Sequence, residues 1–357
     1  MKALILSGGT GTRLRPISYT NAKQLLPLAN KPIIVYLIEK VVKAGIHDIG
    51  IIVGETQEQV KQTLGNGDQW GVSITYIYQE GSLGLAHAVR TASGFIDGSD
   101  FVMILGDNIF SMGLESVIEN FYTYRANTAV LLDRVTNPSQ YGVAVVNDNE
   151  ITALCEKPKE YISDLVLTGV YVFDKSIFTA IGRIKPSRRG ELEITDAIQN
   201  QLTSGGRVTY ELVQGWWKDT GTLQDLLEAN RLTFDDIENI ELPDKDNQGI
   251  ILDDSLMTGK ILTGNNVYLK NSRIIGPVHI DDDAVIIDST IGPYTAIGKR
   301  CQIMGSTIEN NIVLNDASIM NVPKKIFGSL IGRNVSLKGS ENEVTMLFLG
   351  DDTVIEL

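Results

Sequence analysis

Cysteine is scarce in this 357-residue chain: Cys155 and Cys301 are the only two, far apart in sequence. That excludes a disulfide framework, and a reducing cytoplasm is the simple reading. Histidine is nearly as rare. His47, His87 and His279 are scattered and form no serine–histidine–aspartate or cysteine–histidine arrangement. His87 falls in a helical stretch and reads as a packing or surface residue, while His279 reads as surface-exposed. Positive charge is short as well: 31 Lys and Arg against 44 Asp and Glu leave a formal net charge of −13. Non-specific binding to nucleic acid or to an anionic membrane is therefore not expected. No apolar run approaches the length needed to span a bilayer. Gly8 and Gly9 interrupt the opening apolar stretch, so it does not read as a secretory leader.

What remains is the composition of an ordinary globular protein, 43% hydrophobic and 21% charged. The length suggests roughly two domains of about 150 residues each. Strand patterns at 2–7, 48–53, 73–78 and 101–105 alternate with helical patterns at 32–44, 56–64 and 85–92. This rhythm predicts an α/β fold with a mixed, mostly parallel sheet and helices on both faces. Ligands of such sheets bind beyond the carboxyl ends of the strands, so the segments after 7, 78 and 105 should gather on one rim. Further strands at 128–134, 142–146, 169–173 and 207–212 mix with helices and would wall the other side of the cleft. Residues 237–249 are acidic, carry a proline and read as a linker. Beyond them Ile280, Ile286, Ile291, Ile297, Ile303 and Ile308 recur every five or six residues and repeat at 17. One inward aliphatic per corner predicts a β-helix of three-sided coils over 250–323, followed by a tail, 324–357.

The first strand runs into Gly8-Gly9-Thr10-Gly11-Thr12-Arg13-Leu14-Arg15-Pro16, with Lys23 seven residues later. Glycines after a buried strand let backbone N–H groups converge on a phosphate, since no Cβ blocks the approach. No Gly-Lys-Ser/Thr follows, so this is not a Walker loop, and Pro16 arrives where a dinucleotide fingerprint would open a helix. Arg13, Arg15, Lys23 and Lys31 concentrate positive charge in an acidic chain, which suits chemistry on a polyphosphate. A tight turn with solvated arginines is the plainer alternative.

Two aspartates follow strands and lie near glycine: Asp107 in Leu105-Gly106-Asp107-Asn108 and Asp219 in Trp217-Lys218-Asp219-Thr220-Gly221. Magnesium is usually held by one or two carboxylates plus substrate phosphates, and this pair meets that need; each could equally cap a turn. The sequence shows no positioned base. An alcohol or water nucleophile would want one, whereas a phosphate monoester brings its own charge. A phosphate oxygen attacking another phosphorus, with catalysis by positioning and charge stabilisation, fits these residues.

With these residues in place the chain resembles the sugar-1-phosphate nucleotidylyltransferases, in particular the long-form glucose-1-phosphate thymidylyltransferases that carry a hexapeptide-repeat extension. The resemblance runs through GGTGTRLRP (8–16), AKQLLPLANKP (22–32), YQEGSLGLAHAV (78–89), LGDN (105–108), QYGVAVV (140–146), EKP (156–158), TGVYVFD (168–174), RGELEITD (189–196) and WWKDTGT (216–222). It implies a Rossmann-like nucleotidyltransferase domain over 1–236 and a left-handed parallel β-helix over 250–323. Gly8, Gly9, Gly11, Thr12 and Arg13 would cradle the nucleoside triphosphate, and Lys23 would bind phosphate at the reacting centre. Gln24, Gln79 and Gly84 would meet the pyrimidine. Asp107 and Asp219 would hold Mg2+. Tyr141, Gly142, Glu156, Lys157, Tyr171 and Glu191 would line the sugar-phosphate pocket. The implied substrates are dTTP and glucose 1-phosphate, giving dTDP-glucose and pyrophosphate, with UTP or another nucleotide and sugar phosphate as the alternative pair. An acyl transfer on the β-helix is a second alternative, and self-association through the coil implies a homo-oligomer. Ser7 stands where the family often has alanine.

Overall fold

The computed structural model describes residues 1–9, 11–148, 150–237, 249–339 and 347–356. The linker expected at 237–249 thus lies almost wholly outside the described residues. Contacts divide the chain into two units, Met1–Thr10 with Ile33–Asp219, and Gly11–Pro32 with Thr220–Leu357. The glycine-rich loop beyond residue 10 therefore groups with the C-terminal part of the chain, although the sequence reading sets it in the first domain.

The first unit opens with β1 (Lys2–Ser7), buried along almost its whole length. α1 (Ile33–Lys43) buries Ile33, Ile34, Leu37, Ile38 and Val41 on one stripe, the spacing that commits a helix to a sheet face. Then come β2 (Asp48–Val53), α2 (Gln57–Leu64), β3 (Ser73–Tyr78), α3 (Leu85–Thr91), β4 (Phe101–Leu105), β5 (Asn108–Phe110) and α4 (Glu115–Thr123). β6 (Thr128–Arg134), β7 (Gly142–Asn147), β8 (Glu150–Glu156), β9 (Leu165–Phe173), α5 (Ser176–Ile181), α6 (Ile194–Thr203), β10 (Val208–Leu212) and β11 (Trp217–Asp219) complete it. The nine-stranded sheet runs β3-β2-β1-β4-β9-β6-β10-β8-β7. β3, β2, β1 and β4 are mutually parallel, and β10 is parallel to β6. β9 is antiparallel to both neighbours, and β8 is antiparallel to β10 and β7. The sheet is mixed, and its parallel character is concentrated in the N-terminal half.

β9 is buried at every position and starts at Leu165, earlier than the pattern at 169–173 suggests. The register against β6 shifts between Leu167 and Tyr171, where Gly169 takes φ +86°. A glycine bulge of this kind breaks the hydrophobic alternation on which the sequence reading depended.

The second unit contains α7 (Leu223–Asp236), closed at its start by a reciprocal capping box between Thr222 and Asp225. Its β-helix is made of short strands in three parallel sheets, the arrangement consistent with a left-handed β-helix. Most coils repeat at 17 residues, as in Val285↔Gln302 and Ile274↔Ile291. Ile286, Ile303 and Ile319 stack directly over one another, fully buried. Corners turn at left-handed residues such as Asn271 and Asp288, whose side chains also bond each other at 2.7 Å. Ser272, Ser289 and Ser306 form a ladder beneath, each hydroxyl accepting from a backbone N–H one coil on. These ties satisfy polar groups that a narrow coil cannot hide otherwise. The described residues of 324–357 do not stand apart as a tail: Ile326–Phe327, Leu330–Ile331, Ser336–Lys338, Phe348–Leu349 and Val354–Glu356 extend the same three sheets. Spacing falls to 16 between residues 299 and 315 and rises to 18 between 311 and 329, which blurs the repeat in sequence.

Because Ile303 is enclosed by neighbours above and below, Ile303→Ala should lower the unfolding free energy by about 2–5 kcal/mol. Urea denaturation followed by circular dichroism measures it; a change under about 0.5 kcal/mol would mean the coil interior is not packed as described.

Candidate active site

In the first unit, β4 ends at Leu105; the N–H of Gly106 donates to the Leu6 carbonyl at 2.9 Å, and Asp107 follows at once. Asn108 then opens β5, which pairs antiparallel with β11 in the register Asp219↔Asn108, Lys218↔Ile109, Trp217↔Phe110. The two aspartates singled out in the sequence are thereby held on neighbouring strands. Asn108 ties Asp107 to β11: its Nδ2 donates to Asp107 Oδ1 at 2.9 Å, and its Oδ1 accepts from Trp217 Nε1 at 2.8 Å. Asn108 and Trp217 are both buried. Carboxylate oxygens are hard donors that suit magnesium, and among the described residues no group of three or more His, Cys, Asp or Glu offers a denser cage. Two carboxylates leave the remaining positions to water and substrate oxygens, so the donor set fits that ion.

Trp217 also faces the opposite side. The ring of Tyr141 meets it edge-on, centroids 5.6 Å apart at 67°. Tyr141 accepts from the Lys157 backbone N–H at 2.9 Å, and Gly142 sits opposite Glu156 in the β7–β8 register. A Cβ at Gly142 would lie 2.6 Å from Thr195 Cγ2, 2.9 Å from Leu167 Cδ1 and 3.2 Å from Glu156 Oε2. A side chain there would have to displace Thr195 and Leu167 first and press on the carboxylate next. Glu156 Oε2 accepts from Thr195 Oγ1 at 3.1 Å, while Oε1 lies 3.3 Å from the Arg189 guanidinium. Arg189 also reaches Glu193 at 2.8 Å and Glu191 at 3.3 Å. Burial, then the Glu193 charge, raises the Glu156 carboxyl above its usual range, against the pull of Thr195, Lys157 and Arg189. Tyr171, stacked on Phe173 at 5.6 Å, is fully buried; burial and the Glu156 charge raise its phenol. Tyr141, Gly142, Glu156, Tyr171 and Glu191 thus share one constellation with the Lys157 backbone.

A third group gathers behind β1 and β3. Gln79 Nε2 donates to the Gly84 carbonyl at 3.4 Å and to His87 Nδ1 at 3.1 Å. Its Oε1 lies 3.3 Å from where a Cβ of Gly8 would stand. Gly84, at φ +101°, packs on the Leu192 backbone so closely that a Cβ would come within 2.4 Å of the Leu192 carbonyl oxygen. Burial and nearby Arg90 lower the His87 pKa, which matches a neutral ring accepting from Gln79. Gly9 is exposed at the strand end.

In the second unit Gly11, at φ +60°, starts a single turn of 3-10 helix, Thr12–Leu14, and its carbonyl accepts from Ser18 Oγ at 2.7 Å. Thr12 and Arg13 are exposed, and the Arg13 guanidinium lies 2.9 Å from the position a Cβ of Gly221 would occupy. Arg15 stacks over Tyr19 at 4.8 Å. Lys23 and Gln24 are buried, 5% and 2% exposed, in a third 3-10 turn, and Gln24 Oε1 makes no hydrogen bond among the described residues. His279 is not the surface residue the sequence suggested. It is partly buried, and its Nδ1–H donates to the Ala29 carbonyl at 2.7 Å. Burial lowers its pKa.

Asn108, Trp217, Thr195, Glu193 and Arg189 went unassigned in the sequence reading. Asn108 bonds its own neighbour Asp107, while Trp217, Thr195 and Arg189 reach the site from segments distant in sequence, which no local spacing reveals; only their presence inside LGDN, WWKDTGT and RGELEITD pointed their way.

Residues 2–236 match the model of the family described as nucleotidyl transferase. Over the full chain the protein is 43% identical to a glucose-1-phosphate thymidylyltransferase of Streptomyces antibioticus, covering 100% of this chain and 99% of that one. It is 42% identical to the low-salt glycan biosynthesis nucleotidyltransferase Agl11 of Haloferax volcanii, covering 100% of both chains. A crystal structure from Bacillus anthracis, assigned as a glucose-1-phosphate thymidylyltransferase and holding sucrose, superposes with a TM-score of 0.62 at 40% identity. It covers 69% of this chain and 99% of that one.

Proposed function

The chain belongs to the nucleotidyl transferase family, and from that premise we propose that it transfers a thymidylyl group from dTTP to glucose 1-phosphate. A phosphate oxygen of the sugar attacks the α-phosphorus in line; the bond from that phosphorus to the bridging oxygen breaks, and pyrophosphate leaves with its electron pair. No proton need be removed from the nucleophile, so the reaction calls for no positioned base. The observation that carries this reading is Trp217: its indole N–H holds Asn108, which bonds Asp107 and pairs in register with Asp219, while its ring meets Tyr141 of the glutamate-bearing pocket. A carboxylate pair suited to a phosphate-bound cation therefore adjoins a pocket suited to sugar hydroxyls.

In this reading Glu156 and the Gly142 and Tyr141 backbone face the sugar hydroxyls, with Tyr171 and Glu191 beside them. Lys157, and Arg189 as an addition, bring positive charge to the sugar phosphate. Gly8, Gly9, Gly11 and Thr12 would present backbone N–H groups to the triphosphate, with Arg13 and Lys23 supplying charge. Gln79, Gly84 and Gln24 would meet the base; the unpaired Oε1 of buried Gln24 is an acceptor in want of a donor such as a pyrimidine N–H. Asp107 and Asp219 would hold Mg2+, which when bound neutralises charge on phosphoryl oxygens. Among the described residues no helix is long and apolar enough to cross a membrane. Cys155 and Cys301 are both free, in keeping with a reducing compartment such as the cytoplasm. A homo-oligomer joined through the coil belongs to the same proposal.

Pyrophosphate release with dTTP, UTP and GTP, each with glucose 1-phosphate, tests the reading. The expected result is a dTTP rate several-fold above the others; a tenfold preference for UTP would reassign the base, and no release with any pair would end the reading.

A further inference from the structure

We propose that the last coil of the β-helix latches the loop carrying Arg13 and Lys23, with Asp351 as its positioning residue; this rests on the reading that the loop grips the triphosphate. The loop Gly11–Pro32 has little regular structure of its own: three single 3-10 turns and a two-residue hairpin. Such a segment keeps many conformations open unless something outside it closes them, and every alternative dilutes the one that fits the ligand.

The coil supplies that closure at two points. Asp351 divides its carboxylate between them: Oδ1 accepts the Arg333 backbone N–H at 2.7 Å, within the coil, while Oδ2 accepts Thr20 Oγ1 at 2.9 Å and Asn21 Nδ2 at 2.8 Å. Asn21 is buried, and the same Nδ2 lies 3.1 Å from the Ile17 carbonyl, so the tie extends into the turn Ile17–Tyr19. Next to it Gly350 lets the loop come close: a Cβ there would stand 3.3 Å from Pro16 Cβ. The second point lies at the far end, where Asn30 Nδ2 donates to the Ile297 carbonyl at 2.8 Å and His279 to the Ala29 carbonyl. Asn230 of α7 reinforces it by accepting the Ala29 N–H at 2.8 Å and donating to the Tyr294 carbonyl at 3.0 Å.

Lys23 sits between the two ties, two residues past Asn21, and Arg13 sits three residues before Pro16. A carboxylate accepting from side chains and backbone makes charge-assisted bonds, stronger than neutral ones. Asp351 touches neither reacting group, so its effect runs through the placement of Arg13 and Lys23. An acidic residue some 330 positions away in sequence thus sets the loop's geometry, and a chain cut short of residue 350 would keep every motif yet lose the latch.

Initial rates of pyrophosphate release from the full chain, with dTTP and glucose 1-phosphate varied in turn, test the latch in Asp351→Asn and Thr20→Val. Thr20→Val leaves the Asp351–Arg333 bond within the coil intact, so it reports even where Asp351→Asn folds poorly. We expect kcat/KM for dTTP to fall roughly ten- to a hundredfold in Asp351→Asn and less in Thr20→Val. The KM for glucose 1-phosphate should stay within about twofold, since a positional defect is selective. The double variant should be less than additive. Unchanged kcat/KM for dTTP in both variants overturns the latch, as does an equal loss for both substrates that tracks a fallen melting temperature. A wild-type chain that releases no pyrophosphate from dTTP, or an Arg13→Ala variant as active as wild type, sinks the triphosphate reading itself and shows before any Asp351 variant is compared.

Discussion

Arg13→Ala is expected to lower turnover roughly 10²–10³-fold while the protein stays folded, by analogy with the loss of one donor aimed at developing charge. Arg13 is exposed on a one-turn helix started by left-handed Gly11, so its truncation opens no cavity. Its guanidinium is nonetheless not loose, because Gly221 comes close enough that a Cβ would contact all three terminal guanidinium atoms between 2.9 and 3.1 Å. A planar fork held in this way can grip phosphate oxygens with two parallel bonds, which an ammonium cannot imitate. Arg13→Lys should therefore recover only part of the loss. Gly221→Ala offers a separate approach, displacing the fork without removing it, and should lower turnover with a smaller change in melting temperature than Ile303→Ala. Steady-state pyrophosphate release and thermal denaturation of the three variants measure both quantities; unchanged turnover in Arg13→Ala would take that residue out of the reaction centre.

How much of this could be read from the chain depends on how local each signal is. The loop from Gly8 to Pro16 was legible because its glycines, arginines and proline act on their immediate neighbours. β1, β2, β3 and β4 were legible because each is a short apolar run with turn residues at its ends. β9 was only partly legible, since the bulge at Gly169 interrupts its pattern. The aspartates at 107 and 219 could be proposed as partners on chemistry alone. What sequence could not show is that β5 and β11 pair, with Trp217 bonding the Asn108 that bonds Asp107, because that pairing joins segments more than a hundred residues apart. His279 misled for the same reason: its polar character suits a surface, and the Ala29 carbonyl that satisfies it lies 250 residues away. The coil count was blurred by one-residue shortening and lengthening of single turns. The final coils looked like a tail, which hid Asp351 and its bonds to Thr20 and Asn21.

Glu156→Gln should lower kcat/KM for glucose 1-phosphate by roughly 10²-fold or more, while stability at neutral pH stays level or rises. The two effects oppose each other because the site holds an ionised carboxylate where the fold disfavours one. Burial and the neighbouring Glu193 raise the Glu156 pKa above the ordinary 4.5, and Thr195, Lys157 and Arg189 offset this only in part. Between the ordinary pKa and the raised one, the folded chain keeps a proton that the unfolded chain has lost. The folded state then binds more protons, so this group's contribution to stability falls as pH rises through that window and remains lost above it. Glutamine removes that slope and keeps an acceptor for Thr195, while Arg189 retains Glu193 and Glu191. A hydroxyl of the sugar, however, would lose a charged acceptor that the pocket is built around. Gly142→Ala probes the same carboxylate from the other side, since its methyl would press on Thr195, Leu167 and Glu156 together. It should lose both kcat/KM for the sugar phosphate and stability, which separates steric displacement from loss of charge. Melting curves of wild type and Glu156→Gln from pH 4 to 8 should converge at the acid end and part above the raised pKa, with the variant higher. A variant that melts lower at neutral pH would show that Glu156 is held for structure, and its place facing the sugar would have to be given up.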